Sequence, residues 1–145
     1  MADHATKIIE ICERERPAAQ DDCNKFVKAV AGELGITVTG DANSIVDQIV
    51  GAGWTKLADG KAAAQEAALG SFVIGGLKGS DQEVPSAHGH VVIVVKGPLD
   101  RDKYPTAYWG RLGGGGAKDK TINWSWRSGD RDRVIYGARK PAFTA

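Results

Sequence analysis

In the first half of the chain, apolar residues recur at helical spacing. Residues 5 to 16 place Ile8, Ile9, Ile11 and Cys12 on one side, which predicts a helix that Pro17 stops. A second helix is predicted from Cys23 to Leu34, with Phe26, Val27, Val30 and Leu34 as its apolar stripe and Gly35 as its end. Cys23 precedes Phe26 by three positions and Val27 by four, so it shares their face. The segment TGDAN supplies a turn and a cap. A third helix follows from Ser44 to Val50, carrying Ile45, Val46, Ile49 and Val50. The alanine-rich residues 61 to 69 predict a short fourth helix ended by Gly70.

Beyond Gly70 the pattern changes. SFVIGGLKG (71 to 79), HGHVVIVV (88 to 95), TAYWG (106 to 110), INWSW (122 to 126) and VIYGAR (134 to 139) are β-branched or aromatic runs bounded by glycine, proline and charge. Helices first and strands afterwards predict an α+β fold, with helices packed on an antiparallel sheet. In the run at 88 to 95, His88, His90, Val92 and Val94 share one face, and Val91, Ile93 and Val95 the other. Both faces are apolar, so this strand is expected to be central and covered on both sides. GGGG at 113 to 116 reads as a flexible loop. It lacks the Lys-Ser/Thr that follows a phosphate cradle, which argues against nucleotide binding.

Composition narrows the classes without naming a function. The 145 residues suit one domain, expected to span 1 to 145. A net charge of +1 carries no nucleic-acid or membrane-surface signal. No apolar run approaches the ~20 residues of a membrane helix. The N-terminal segment MADHATKIIEICERERP scatters charge where a secretory signal needs an apolar core, so a cytoplasmic protein, or export without a cleaved signal, is expected. The two cysteines, Cys12 and Cys23, are too few for a disulfide framework, although one bridge between them is conceivable.

The chemistry-bearing candidates are Cys23 and the histidines. A cysteine on an apolar helical stripe is usually a buried, inert thiol. Cys23, however, opens its helix, where unpaired N–H groups and the positive dipole end favour a thiolate, with Asp22 opposing by charge unless it is occupied as a cap. A cysteine nucleophile needs a base nearby in space. A histidine at the head of the 88 to 95 strand would sit at the sheet rim, facing the helix start. A polar strand end with satisfied histidines, and a His-x-His metal pair completed by His4, Cys23 or carboxylates, are the competing readings; nothing in the spacing favours the metal pair.

DCNKFVKAVAGELGI followed by GHVVIVV resembles the cysteine-helix and histidine-strand motifs of NlpC-type, papain-like cell-wall peptidases. Asp22, Cys23, Phe26 and Val27 match the usual Asp-Cys-Ser-Gly-Phe-Val, while Asn24 and Lys25 depart from it. WTKLADG, KGPL and DRDR further resemble the first family of amidase effectors delivered by type VI secretion, and the likeness runs from about residue 20 onward. The resemblance implies an NlpC-type papain-like fold and a cysteine amidase that hydrolyses the γ-D-glutamyl–meso-diaminopimelate bond of Gram-negative peptidoglycan stems. It implies Cys23 as nucleophile, His90 as base and the Cys23 backbone N–H as an oxyanion donor, with no cofactor and no metal. It also implies loading by the type VI machinery from the producer's cytoplasm, action in the target periplasm and a cognate immunity inhibitor, for a protein expected to be monomeric and to insert into no membrane.

Papain-like sites need a third polar group on the imidazole, for which a backbone carbonyl near Trp109 is a candidate. Arg111, Lys118, Lys120 and Arg127, around the glycine loop, are candidates for contacting stem carboxylates. Trp109, Trp124 and Trp126 are candidates for lining a groove, with Trp124 and Trp126 on one strand face and at least one of them in the core. Other classes stay open. Four tryptophans and three tyrosines would also suit a non-catalytic wall-binding module. A papain-like hydrolase or acyltransferase acting on another amide, and a zinc amidase, are the further alternatives.

Overall fold

The computed structural model describes residues 3–111 and 116–142. Among them the elements run α1 (His4–Ala19), α2 (Cys23–Glu33), α3 (Ala42–Ile49), β1 (Thr55–Leu57), α4 (Gly60–Ala68), β2 (Phe72–Leu77), β3 (His90–Val94), β4 (Thr106–Trp109), β5 (Ala117–Thr121) and β6 (Ile135–Arg139). The strands form one antiparallel sheet of six, ordered β1-β6-β2-β3-β4-β5. The architecture is α+β, as expected.

Each α-helix begins on an aspartate, Asp3, Asp22, Asp41 or Asp59, whose carboxylate accepts N–H groups of the first turn. Gly35 and Gly70 follow the α2 and α4 C-caps at φ of +72° and +93°, a conformation that side chains resist. Pro17 does not stop α1. It lies inside the helix, which continues to Ala19. So near the C-terminal end, a proline removes one helical hydrogen bond and leaves little helix beyond it to disturb.

The sheet carries apolar layers on both faces. Val91, Ile93 and Val95 join Phe26, Val27 and Val30 of α2 in one layer, which also holds the apolar sides of α1 and α3. Val92 and Val94 join Ala63 and Ala67 of α4 and Trp109, Ile122, Trp126 and Tyr136 in the other. The two-faced burial expected of β3 is thus observed, and β3 lies inside the sheet between β2 and β4.

Three parts of the pattern come out differently. Residues 122 to 126 are not a strand: Ile122–Trp124 form a 3₁₀ turn, with the Ile122 N–H on the Pro105 carbonyl and the Ser125 N–H on the Ile122 carbonyl. Strands β1 and β5 were not predicted. β5, AKDKT, is a mostly exposed edge strand whose composition reads as a loop. The glycine loop expected at 113 to 116 lies, apart from Gly116, outside the described residues. No described helix is long and apolar enough to cross a membrane.

Candidate active site

Cys23 is the first residue of α2, and its neighbours fix it there. Asp22 is occupied as the cap: its Oδ1 accepts the N–H groups of Asn24 at 3.1 Å and Lys25 at 3.3 Å. Phe26 and Val27 are fully buried against the sheet, which turns the Cys23 face of α2 inward and leaves Cys23 only 7% exposed. The backbone N–H of Val91, the residue after His90, acts on the Cys23 sulfur, so the head of β3 abuts the start of α2. Both cysteines are free and no bridge joins them.

The helix start does not win the electrostatics. Burial pushes the Cys23 thiol above its ordinary range, and the Asp22 charge adds to this. The N–H groups of Val91, Asn24 and Cys23 itself pull the other way without reversing it. The thiolate preference expected from the helix dipole is therefore outweighed by desolvation.

His90 opens β3, where Leu77 of β2 is its partner in register. Its Nε2 lies 2.6 Å from Ser125 Oγ. Trp126 meets the imidazole edge-on, with ring centroids 5.0 Å apart. Burial, and after it the nearby Arg111 cation, together push His90 down to about 3. Imidazole and thiol are thus both held neutral at ordinary pH.

Ser125 is the residue that sequence reasoning missed. It is buried, and its carbonyl accepts the Arg111 guanidinium at 2.7 Å. It stands on the imidazole nitrogen where a backbone carbonyl near Trp109 was expected. Its separation from His90 by 35 positions leaves no local sequence signal of the contact.

The stretch from His88 to His90 borders two cavities. Cys23 lines one of about 240 Å³, with Asp22, Asn24, Asp41, His88 and Gly89. His90 lines one of about 310 Å³, whose wall includes Arg111, Ser125, Trp126, Arg127 and Asp130. Loops hold both in shape. Asn43 accepts the Gly79 N–H and donates to the Ala87 carbonyl, pinning both ends of the 79 to 87 loop. Gly89 packs against Asn43, whose Oδ1 would lie 2.5 Å from a Cβ there. Buried Asp130 accepts the Glu83 N–H at 2.7 Å, which ties the DRDR segment to the same loop.

The remaining candidates separate. Arg111 and Arg127 line the His90 cavity. Trp109 lines no groove: it is 1% exposed and belongs to the core. Lys118 is exposed, 3.7 Å from Glu13, and is not among the residues lining either cavity. Trp126 is buried beside His90, whereas Trp124 is 70% exposed with the Lys120 ammonium over its ring. The 3₁₀ turn, in place of a strand, sends the two rings to different surroundings. Among the described residues no group of three or more His, Cys, Asp or Glu side chains could hold a metal ion.

Fold and site together define an α+β protein in which a cysteine at a helix start abuts the head of a strand opened by a histidine, the thiol lining one cavity and the imidazole the other. No protein-family model matches the chain. It is similar to the peptidoglycan amidase Tse1 of Pseudomonas aeruginosa, 43% identical over 121 residues, which are 81% of this chain and 74% of that protein. The chain belongs to the Tse1 peptidoglycan amidase family.

Proposed function

We propose that this chain, as one catalytic domain over residues 1 to 145, is a cysteine amidase that hydrolyses the γ-D-glutamyl–meso-diaminopimelate bond of Gram-negative peptidoglycan stems. The observation that carries the reading is the meeting of Cys23, at the start of α2, with the head of β3 that bears His90, in a chain 43% identical to a peptidoglycan amidase. Delivery by type VI secretion into a rival's periplasm, a cognate immunity inhibitor and a monomeric state belong to the same reading.

The chemistry starts from a neutral pair. For His90 Nδ1 to accept a proton, Nε2 must carry the ring hydrogen and donate it to Ser125 Oγ, 2.6 Å away. Nδ1 takes the Cys23 proton as the sulfur attacks the scissile carbonyl carbon. The Cys23 backbone N–H, at the helix start, receives the developing oxyanion. The tetrahedral intermediate collapses, the C–N bond breaks and His90⁺ gives its proton to the leaving amine. Water, deprotonated by His90, then cleaves the thioester and releases the acid.

The test is a digest of Gram-negative sacculi with the native protein, Cys23→Ala and His90→Ala, with fragments identified by mass spectrometry. New D-glutamate carboxyl ends and diaminopimelate amino ends are expected from the native protein. Each variant should lose on the order of 10³-fold or more of the rate while keeping its fold. Full activity in either variant removes that residue from the mechanism, and intact sacculi with the native protein overturn the reading.

A further inference from the structure

The two cavities differ in charge. Cys23 faces the one bordered by the carboxylates of Asp22 and Asp41, together with His88. His90 faces the one bordered by the guanidiniums of Arg111 and Arg127. Transfer through a thioester assigns the two halves of a substrate to different sides. The acyl half stays on sulfur, while the amine half departs with a proton from the imidazole. The amine half must therefore lie beside His90.

We propose that the cavity lined by His90, Trp126, Arg111 and Arg127 is the leaving-amine subsite, and that the two guanidiniums select an amine-side residue bearing a carboxylate. The inference rests on the hydrolase reading above and adds which half of the substrate goes where, and what reads it. Arg111 is built into place. Its N–H donates to the Gln20 carbonyl at 3.0 Å, and Nη2 donates to the Ser125 carbonyl at 2.7 Å. Gly110 before it packs so closely on the 19 to 22 loop that a Cβ would lie 2.4 Å from the Ala19 carbonyl oxygen. A guanidinium has five N–H donors in a fixed fork, so Arg111 keeps donors for a carboxylate while anchored by one.

Asp130 is the acidic residue among those bordering this cavity. It is buried, and its Oδ1 accepts the Glu83 N–H; its one negative charge against two guanidiniums leaves this lining positive on balance. Trp126 provides an apolar wall for the methylene chain of the amine-side residue. Asp22 and Asp41 make the opposite cavity a poor host for an anionic amine half. The lowering of His90 by the Arg111 cation fits the closeness that the subsite requires.

The experiment compares kcat/KM on three soluble stem peptides differing only in the amine-side residue. These are meso-diaminopimelate, its analogue with the distal carboxylate as carboxamide, and lysine, which lacks that group. The native protein is expected to prefer diaminopimelate over the other two by roughly tenfold or more. Arg111→Gln and Arg127→Gln should each shrink that ratio, and the double variant should bring it close to one. A purely structural role for Arg111, acting through Ser125, would lower all three rates alike and leave the ratio intact. Arg127 is exposed, so Arg127→Gln carries the test even if Arg111→Gln fails to fold. A native protein without preference, or a preference that survives both substitutions, overturns the subsite and leaves the hydrolase reading standing. A native protein inactive on all three peptides and on sacculi overturns both.

Discussion

Cys23 is positioned by residues within a helical turn or two of it, whereas His90 is positioned by residues from distant parts of the chain. On the Cys23 side, the Asp22 cap and the buried Phe26 and Val27 fix helix start, helix phase and sulfur direction together. On the His90 side, the imidazole is held by Ser125, walled by Trp126 and neighboured by Arg111, all brought in by loops beyond β3. Cys23 thus comes with its helix, while His90 depends on the tertiary fold around it. Both sides share one electrostatic outcome, since burial dominates each and favours the uncharged form.

The comparison breaks most visibly at Ser125. Ser125→Ala leaves His90 Nε2 without its partner and frees the ring to turn. A fall in kcat of about 10²-fold is expected, with KM changed little, because misplacing a catalytic group costs the chemical step more than binding. Ser125→Thr keeps the hydroxyl and should recover much of the loss. Steady-state kinetics on a soluble stem peptide, with circular dichroism as a fold control, reads this directly. An unchanged kcat in Ser125→Ala would leave Ser125 as a bystander and return the search to a backbone carbonyl.

These same differences explain how far the chain could be read before it was folded. The α2 stripe, Gly35 and the alternation of β3 are local periodicities, and they place Cys23 and His90 at the rim correctly. WTKLADG and DRDR resolve into structural parts: Thr55–Leu57 is β1, Asp59 caps α4, and Asp130 and Asp132 accept bonds from Glu83 and Tyr104. What local pattern hid is either exposed or long-range. The edge strand β5 is charged because only one of its sides is paired. INWSW has strand-forming residues, yet the Pro105 carbonyl takes the Ile122 N–H and the segment curls into a turn. That turn is what delivers Ser125 to His90 and leaves Trp124 in solvent, so the misread strand and the missed partner have one cause.

The shared neutral state has its own signature in pH. A thiolate–imidazolium pair would alkylate quickly and almost independently of pH from mildly acid conditions upward. Here the thiol is raised and the imidazole is lowered to about 3, so the proton rests on sulfur. Alkylation of Cys23 by iodoacetamide should therefore climb about tenfold per pH unit through neutrality and keep climbing past the ordinary cysteine range of about 8.5. Cys12 is fully buried and pushed upward by burial, so it stays slow and does not mask the trend. A rate that levels off at or below neutral pH would mean that the pair is ionised at rest.

The smallest effect separates the two roles of Asp22. It caps α2 through its carboxylate and, as a charge beside Cys23, raises the thiol. Asn is as good a cap as Asp, so Asp22→Asn should change stability by less than about 0.5 kcal/mol. Removing the charge should bring the thiol down and raise the alkylation rate at neutral pH a few-fold. The shift is modest because burial, the larger cause, is untouched. Asp22→Ala should match this charge effect but lose about 1 kcal/mol in denaturant unfolding, the usual worth of a cap. If Asp22→Asn destabilises the protein as much as Asp22→Ala does, the contribution of Asp22 to the helix is its charge at the dipole end and not the hydrogen bonds it accepts.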